Sequence, residues 1–143
     1  MHHQKEQLLR FGVSMEKSLL GKLDKFVSEK GYPTRSEAIR DFVRDNLVQE
    51  EWGNTAIDVV GTVTLVYDHE THELSKKLTD MQHSYHKEIL STTHIHLDEH
   101  NCLEILALKG KSRRVKEIAD HLIASKGVKH GKLVMTTTGK ELV

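Results

Sequence analysis

Two imidazoles sit one residue apart in Thr93-His94-Ile95-His96-Leu97-Asp98-Glu99-His100-Asn101-Cys102, within a run that ends like a β-strand. Side chains alternate faces along a strand, so His94 and His96 share one surface. Asp98 to Asn101 are turn formers that fold the chain back, so Cys102, the only cysteine, can start a neighbouring strand close to that surface. Two imidazoles and one thiolate are borderline-to-soft donors, suited to nickel, copper or zinc and unsuited to magnesium or calcium. The bland competitor is a solvated hairpin face beside an inert buried cysteine. Three donors leave a four-coordinate site one short. His83 and His86 lie three apart on one face of a predicted helix, and His83 is the expected fourth ligand. It can come from the same chain or from a second chain across a symmetric interface, and sharing would couple metal binding to assembly. Glu104, two after Cys102 and on the same strand face, is placed to orient a histidine ligand. His100, His121 and His130 read as ordinary surface residues. A planar arrangement of the four donors suits Ni(II) or Cu(II), and a tetrahedral one Zn(II).

Composition narrows the setting. The chain has 143 residues, 37% apolar and 29% charged, enough for one domain or two small ones with a real core. No apolar run is long enough to span a membrane, and Met1 to Gln7 contain no signal-peptide segment. A single cysteine excludes an intrachain disulfide framework and fits a reducing, cytoplasmic compartment. Net charge is zero, so nucleic-acid binding must come from placement rather than from bulk charge. Of 11 histidines, nine fall between His69 and His130, which puts metal or pH chemistry in the second part of the chain.

The first part reads differently. Leu9, Phe11 and Val13 alternate with Arg10, Gly12 and Ser14, the pattern of a short strand. Ser14 is placed to cap a helix bearing Leu19, Leu20, Leu23, Phe26 and Val27, which stops at Lys30-Gly31. Thr34-Arg35-Ser36-Glu37 is a capping box opening a second helix with Ala38, Ile39, Phe42, Val43 and Leu47 as its stripe. One strand and two helices cannot bury both stripes or satisfy the strand alone. The economical solution is a dimer whose strands pair antiparallel, a ribbon-helix-helix that fits a DNA major groove. Arg10, Gly12 and Ser14 would then meet base edges, and the helix start at Arg35 and Ser36 would hold a phosphate. A plain helical hairpin with a frayed strand is the competitor.

Trp52-Gly53-Asn54-Thr55 marks the boundary, giving a DNA-binding domain over 1–51, a linker over 52–55 and a second domain over 56–143. The second domain predicts a strand at 56–68, a helix at 69–87, strands at 88–97 and 102–108, a helix from Ser112 to Gly127 and a strand at 128–138. That β-α-β-β-α-β order packs as a four-stranded antiparallel sheet with both helices on one face, so the whole chain is α+β.

These residues resemble the nickel-responsive ribbon-helix-helix repressors, the NikR family, along nearly the whole chain. The matching pieces are Gly31-Tyr32, Arg35-Ser36-Glu37-Ala38-Ile39-Arg40-Asp41, Tyr67-Asp68-His69, Gln82-His83, Thr93-His94-Ile95-His96, Cys102-Leu103-Glu104 and Gly127-Val128-Lys129. The resemblance implies a homotetramer of two DNA-binding dimers around four ferredoxin-like, ACT-like domains. It implies one Ni(2+) per chain, held in a plane by His94, His96 and Cys102 of one chain and His83 of a neighbour. It implies a cation site involving Glu37 and Asp41, and metal-dependent repression of nickel uptake or related genes at a palindromic operator. Gly12 departs from the serine or threonine usual there, which shifts base reading to Arg10 and Ser14, and the extension before Leu8 is longer than in some relatives. Copper, zinc or an amino acid as effector are the alternatives within this architecture. A metalloenzyme is disfavoured because four protein ligands close the site and no general base sits nearby at motif spacing.

Overall fold

The computed structural model describes residues 6–143, the side chain of His72 excepted. The chain divides into two compact units, Met1–Asn46 with Glu141–Val143, and Leu47–Lys140.

In the first unit, α1 (Lys17–Lys30) and α2 (Arg35–Gly53) form a helical hairpin. The first helix opens two residues later than Ser14 predicts, with Glu16 as the cap, its carbonyl accepting the Leu20 N–H at 2.9 Å. Gly31 closes α1 at φ 75°, a left-handed turn that lets Tyr32 N–H return to the Val27 carbonyl at 3.0 Å. Half of the capping box forms, Thr34 Oγ1 accepting the Glu37 N–H at 3.2 Å. Phe26 packs against Phe42 with ring centroids 5.1 Å apart, joining the two helices. Residues 8–14 adopt no paired strand, and Leu9 and Phe11 are 80% and 78% exposed. An isolated strand has no hydrogen-bond ladder within its own chain, so the predicted strand lacks here the partner that would define it. Met1–Lys5, the start of the N-terminal extension, lies outside the described residues.

The second unit is the predicted α+β domain. Its elements are β1 (Asp58–Asp68), α3 (His72–Ser84), β2 (Ile89–His96), β3 (Asn101–Lys111), α4 (Ser112–Ile123) and β4 (Val128–Thr136). The sheet is antiparallel in the order β2-β3-β1-β4, with the valine-rich β1 at its centre and β2 at one edge. Alternation along β1 buries Val59, Val63, Leu65 and Tyr67 on the helix-covered face and leaves Val60, Thr62, Thr64 and Val66 half-buried on the other. The helix α4 packs by Val115, Ile118 and Leu122, each fully buried and worth about 2 kcal/mol. Burial in α3 is thinner, with Leu74 and Leu78 alone enclosed among its described side chains.

Rather than ending before Trp52, α2 runs through Gly53. Trp52 is only 4% exposed in the core of the sheet unit, and its indole N–H donates to the Thr136 carbonyl at 2.8 Å. Gly61 makes room for it: a Cβ there would lie 3.2 Å from the indole and 2.9 Å from Leu133 Cδ1.

Candidate metal centre

Strand register assembles the site. His96 pairs with Cys102 and His94 with Glu104 across β2 and β3, while Tyr67 of β1 pairs with Cys102 from the other side. All five side chains therefore lie on the helix-covered face, at the β2 edge. The turn that returns the chain to Cys102 is built on Asp98, whose Oδ1 accepts the backbone N–H groups of His100 and Asn101, each at 2.8 Å. Those bonds, with the Asn101 side-chain amide bond foremost, hold the Asp98 carboxyl down at about 2.

Cys102 Sγ lies 3.5 Å from His96 Nδ1, and the His94 and His96 ring centroids are 5.0 Å apart. Cys102 is fully buried, and burial followed by the negative charges of Asp68, Glu104 and Asp98 pushes its thiol pKa up. Those same charges make the cleft attractive to a cation. Glu104 is 6% exposed and fully engaged, accepting from Tyr67 Oη at 3.1 Å and from Gln82 Nε2 at 2.8 Å. Tyr67 Oη also lies 3.3 Å from His94 Nδ1. Burial, then the Glu104 charge, drives the Tyr67 pKa well above the usual phenol range, so its proton stays in this network. Glu104 thus reaches His94 through Tyr67, a chain from carboxylate to imidazole suited to orienting a ligand.

His69 joins the cluster although its residue type and spacing alone did not single it out. Donor atoms of His69, His96 and Cys102 all lie within 4.8 Å of one another. His69 Nδ1 is buried with no hydrogen-bond partner among the described residues, an orphan that a bound cation would satisfy. Its backbone N–H donates to the His100 carbonyl at 2.8 Å, which ties the end of β1 to the Asp98 turn. The antiparallel register accounts for it: Tyr67 pairs with Cys102, and His69, two residues on and on the same face, is the diagonal neighbour of Cys102. His94 is on the same face but lies outside that triad, its Nδ1 turned to Tyr67.

His83 does not reach the cluster within its own chain. Leu74, Leu78, Met81 and Tyr85 form the inward stripe of α3, and at 100° per residue His83 falls nearly opposite. It is exposed, while Gln82, one position back, turns far enough inward to meet Glu104. His100 is exposed and sits 3.1 Å from Glu70. Two imidazoles, a thiol and an orphaned third imidazole form a donor set that fits nickel, copper or zinc.

In the first unit, Arg10 and Ser14 line a cleft of about 780 Å³ with Leu8, Phe11, Leu20 and Ile39. Arg35 and Ser36 line it too, and the Arg35 guanidinium is engaged by Asp24 through two bonds of 2.7 and 2.8 Å. No Cβ clash guards Gly12, which has open space around it. Glu37 pairs with Arg40. Asp41 accepts from Tyr32 Oη at 2.8 Å and from Arg44 at 3.0 Å, and the Tyr32 bond foremost lowers its pKa.

A sheet domain with both helices on one face and a histidine–thiol cluster at its edge, preceded by a capped helical hairpin, defines a metal-binding protein of regulatory build. Residues 60–136 match the family described as the NikR C terminal nickel binding domain. A relative from Thermococcus kodakarensis, named as a nickel-responsive regulator, is 56% identical over 137 residues, covering 96% of this chain and 99% of its own. One of the same name from Geotalea uraniireducens is 57% identical over 136 residues, 95% of this chain and 98% of its own. A Thermotoga maritima structure described as the uncharacterized protein TM1266 superposes with a TM-score of 0.51 at 17% identity, over 57% of this chain and all of that one, a likeness of fold alone. The chain belongs to the NikR family of nickel-responsive regulators. Among the described residues no helix is long and apolar enough to cross a membrane.

Proposed function

We propose that this protein is a cytoplasmic nickel-responsive repressor, a homotetramer built as a dimer of dimers, that binds a palindromic operator when metal-loaded and shuts off nickel uptake or related genes. One observation carries the reading: three donors, His94, His96 and Cys102, share one face of β2 and β3, while His83 points away from its own chain. A site completed by His83 of a neighbouring chain uses both facts, and it links metal occupancy to assembly. One Ni(2+) per chain is expected, a borderline acid matched to imidazole and thiolate. Glu104 and Tyr67 orient His94 from behind, and Gln82 links the same carboxylate to the helix that carries His83.

Regulation then acts through population. Sharing a metal fixes α3 and the Asp98 turn in one arrangement and biases the molecule towards placements of the DNA-binding units that match both operator halves. The bias can be no larger than the difference in nickel affinity between the two states. At the other end, two copies of residues 8–14 pair as a ribbon, which covers the exposed Leu9, Phe11 and Val13 and presents Arg10, Gly12 and Ser14 to the major groove. The start of α2 at Arg35 and Ser36 holds the phosphate backbone. Glu37 and Asp41 are assigned to a cation site used on DNA.

The test is operator-fragment binding by the full chain, metal-free and with stoichiometric nickel, copper or zinc, recorded with the absorption spectrum. Nickel-dependent binding with a thiolate-to-metal band that Cys102→Ala removes supports the proposal. Equal binding with and without every metal refutes it, and a response confined to copper or zinc reassigns the effector.

A further inference from the structure

The two helices of the sheet unit are anchored unequally. Five residues of α4 are buried, against Leu74 and Leu78 among the described side chains of α3, neither of them in its last turn. The later inward positions of α3, Met81 and Tyr85, are only half-buried. The turn that bears His83 therefore holds no fully buried residue and is tied inward by the Gln82 bond to Glu104, and thinly packed ends of this kind open most readily.

Tyr85 holds that end. As the C-terminal cap of α3 it donates its backbone N–H to the Met81 carbonyl at 2.9 Å, and its own carbonyl accepts the N–H groups of Glu88 and Ile89 at 3.0 Å each. Its hydroxyl lies 2.9 Å from His121 Nδ1, and the Arg114 guanidinium carbon lies 4.8 Å from its ring centroid. Arg114 in turn donates to Glu88 Oε1 at 3.1 Å. Residues 114 and 121 are two helical turns apart, so one tyrosine grips α4 at two points.

We propose that Tyr85 is a positioning residue for His83: its hydroxyl on His121 and its ring beneath Arg114 fasten the last turn of α3 to α4 and keep His83 presented before metal arrives. This rests on the assignment of His83 as a ligand. A frayed turn must be ordered when metal binds, and apparent affinity falls by the fraction of chains that are not already competent.

The experiment measures nickel affinity of the full chain by chelator competition, read on the thiolate-to-nickel absorption band, for wild type, Tyr85→Phe, His83→Ala and the double variant. Amide hydrogen exchange of the segment around Met81 to His86 is followed in the metal-free proteins. Tyr85→Phe keeps the ring and removes the hydroxyl, so the fold is preserved. Arg114→Leu, which keeps the hydroxyl, serves as an independent second release of the clamp. Each release is expected to weaken nickel binding by about three- to tenfold, the range of one modest hydrogen bond or cation–π contact, and to speed exchange in that segment. In the His83→Ala background, neither release should weaken binding further. Unchanged affinity or exchange in Tyr85→Phe, or an equal loss with and without His83, overturns the proposal. A His83→Ala protein that binds nickel as tightly as wild type gives a different pattern, and overturns the ligand assignment together with the proposal built on it.

Discussion

Nickel binding by this chain is expected to displace the proton of Cys102. In the metal-free protein, burial and the surrounding carboxylates hold the thiol protonated beyond the usual range, yet only the thiolate is a ligand. Below the thiol's raised pKa each bound nickel must expel one proton, so affinity should rise about tenfold per pH unit, or about 1.4 kcal/mol. A chelator competition from pH 7.5 to 8.5 should show that slope for wild type, and an unbuffered titration should release one proton per chain. Cys102→Ala should flatten the slope and abolish the thiolate band. The same shift sets the sign of stability. A folded pKa above the unfolded value means the unfolded chain ionises first. The metal-free fold therefore keeps its full contribution from this group below about pH 8.5 and loses it as pH rises through the folded value. Tyr67, raised in the same sense, adds a loss above about pH 10. Affinity that does not change with pH, or a slope that survives Cys102→Ala, would refute the reasoning.

Other perturbations separate the parts of the molecule. Tyr67→Phe strands the buried Glu104 Oε2, and should cost about 1–3 kcal/mol of stability and weaken nickel binding about tenfold to a hundredfold; unchanged melting and affinity would count against the orienting role. Gly61→Ala forces a Cβ against Leu133, the Trp52 indole and the Val134 carbonyl, and overpacking of that kind costs about 1–3 kcal/mol. The emission of Trp52, the sole tryptophan, should shift to the red, whereas Gly12→Ala, in open space, should leave melting and emission alone. Arg10→Ala should weaken operator binding by about 1–3 kcal/mol with nickel affinity intact, as a base contact requires; a loss of nickel binding instead would move Arg10 out of the DNA interface.

The order of elements in the sheet unit was legible because each carries a local signal: β-branched alternation in β1, the His-x-His strand, and the apolar spacing of α4. Placing His94, His96 and Cys102 on one face needed only the two-residue period and a turn. His69 was missed because its proximity to Cys102 comes from the β1–β3 register, a relation between residues more than thirty apart that no local pattern encodes. Tyr67 likewise reads as one more core position until its hydroxyl is seen between Glu104 and His94. The start of α1 slipped from Ser14 to Glu16 because a capping side chain is a preference that backbone geometry can override. The end of α2 slipped for a tertiary reason, since Trp52, a helix breaker's neighbour in sequence, has a glycine-lined seat in the sheet.

The outward placement of His83 has a consequence at the scale of the cell. On the proposed reading, a solitary chain supplies three donors, His94, His96 and Cys102, and draws the fourth from His83 of a neighbour. The completed centre then obeys mass action in protein as well as in metal, because every tight site consumes an encounter between chains. Dilution alone would blunt the response at constant nickel. The copy number of the regulator would thereby become part of the threshold at which the metal is noticed.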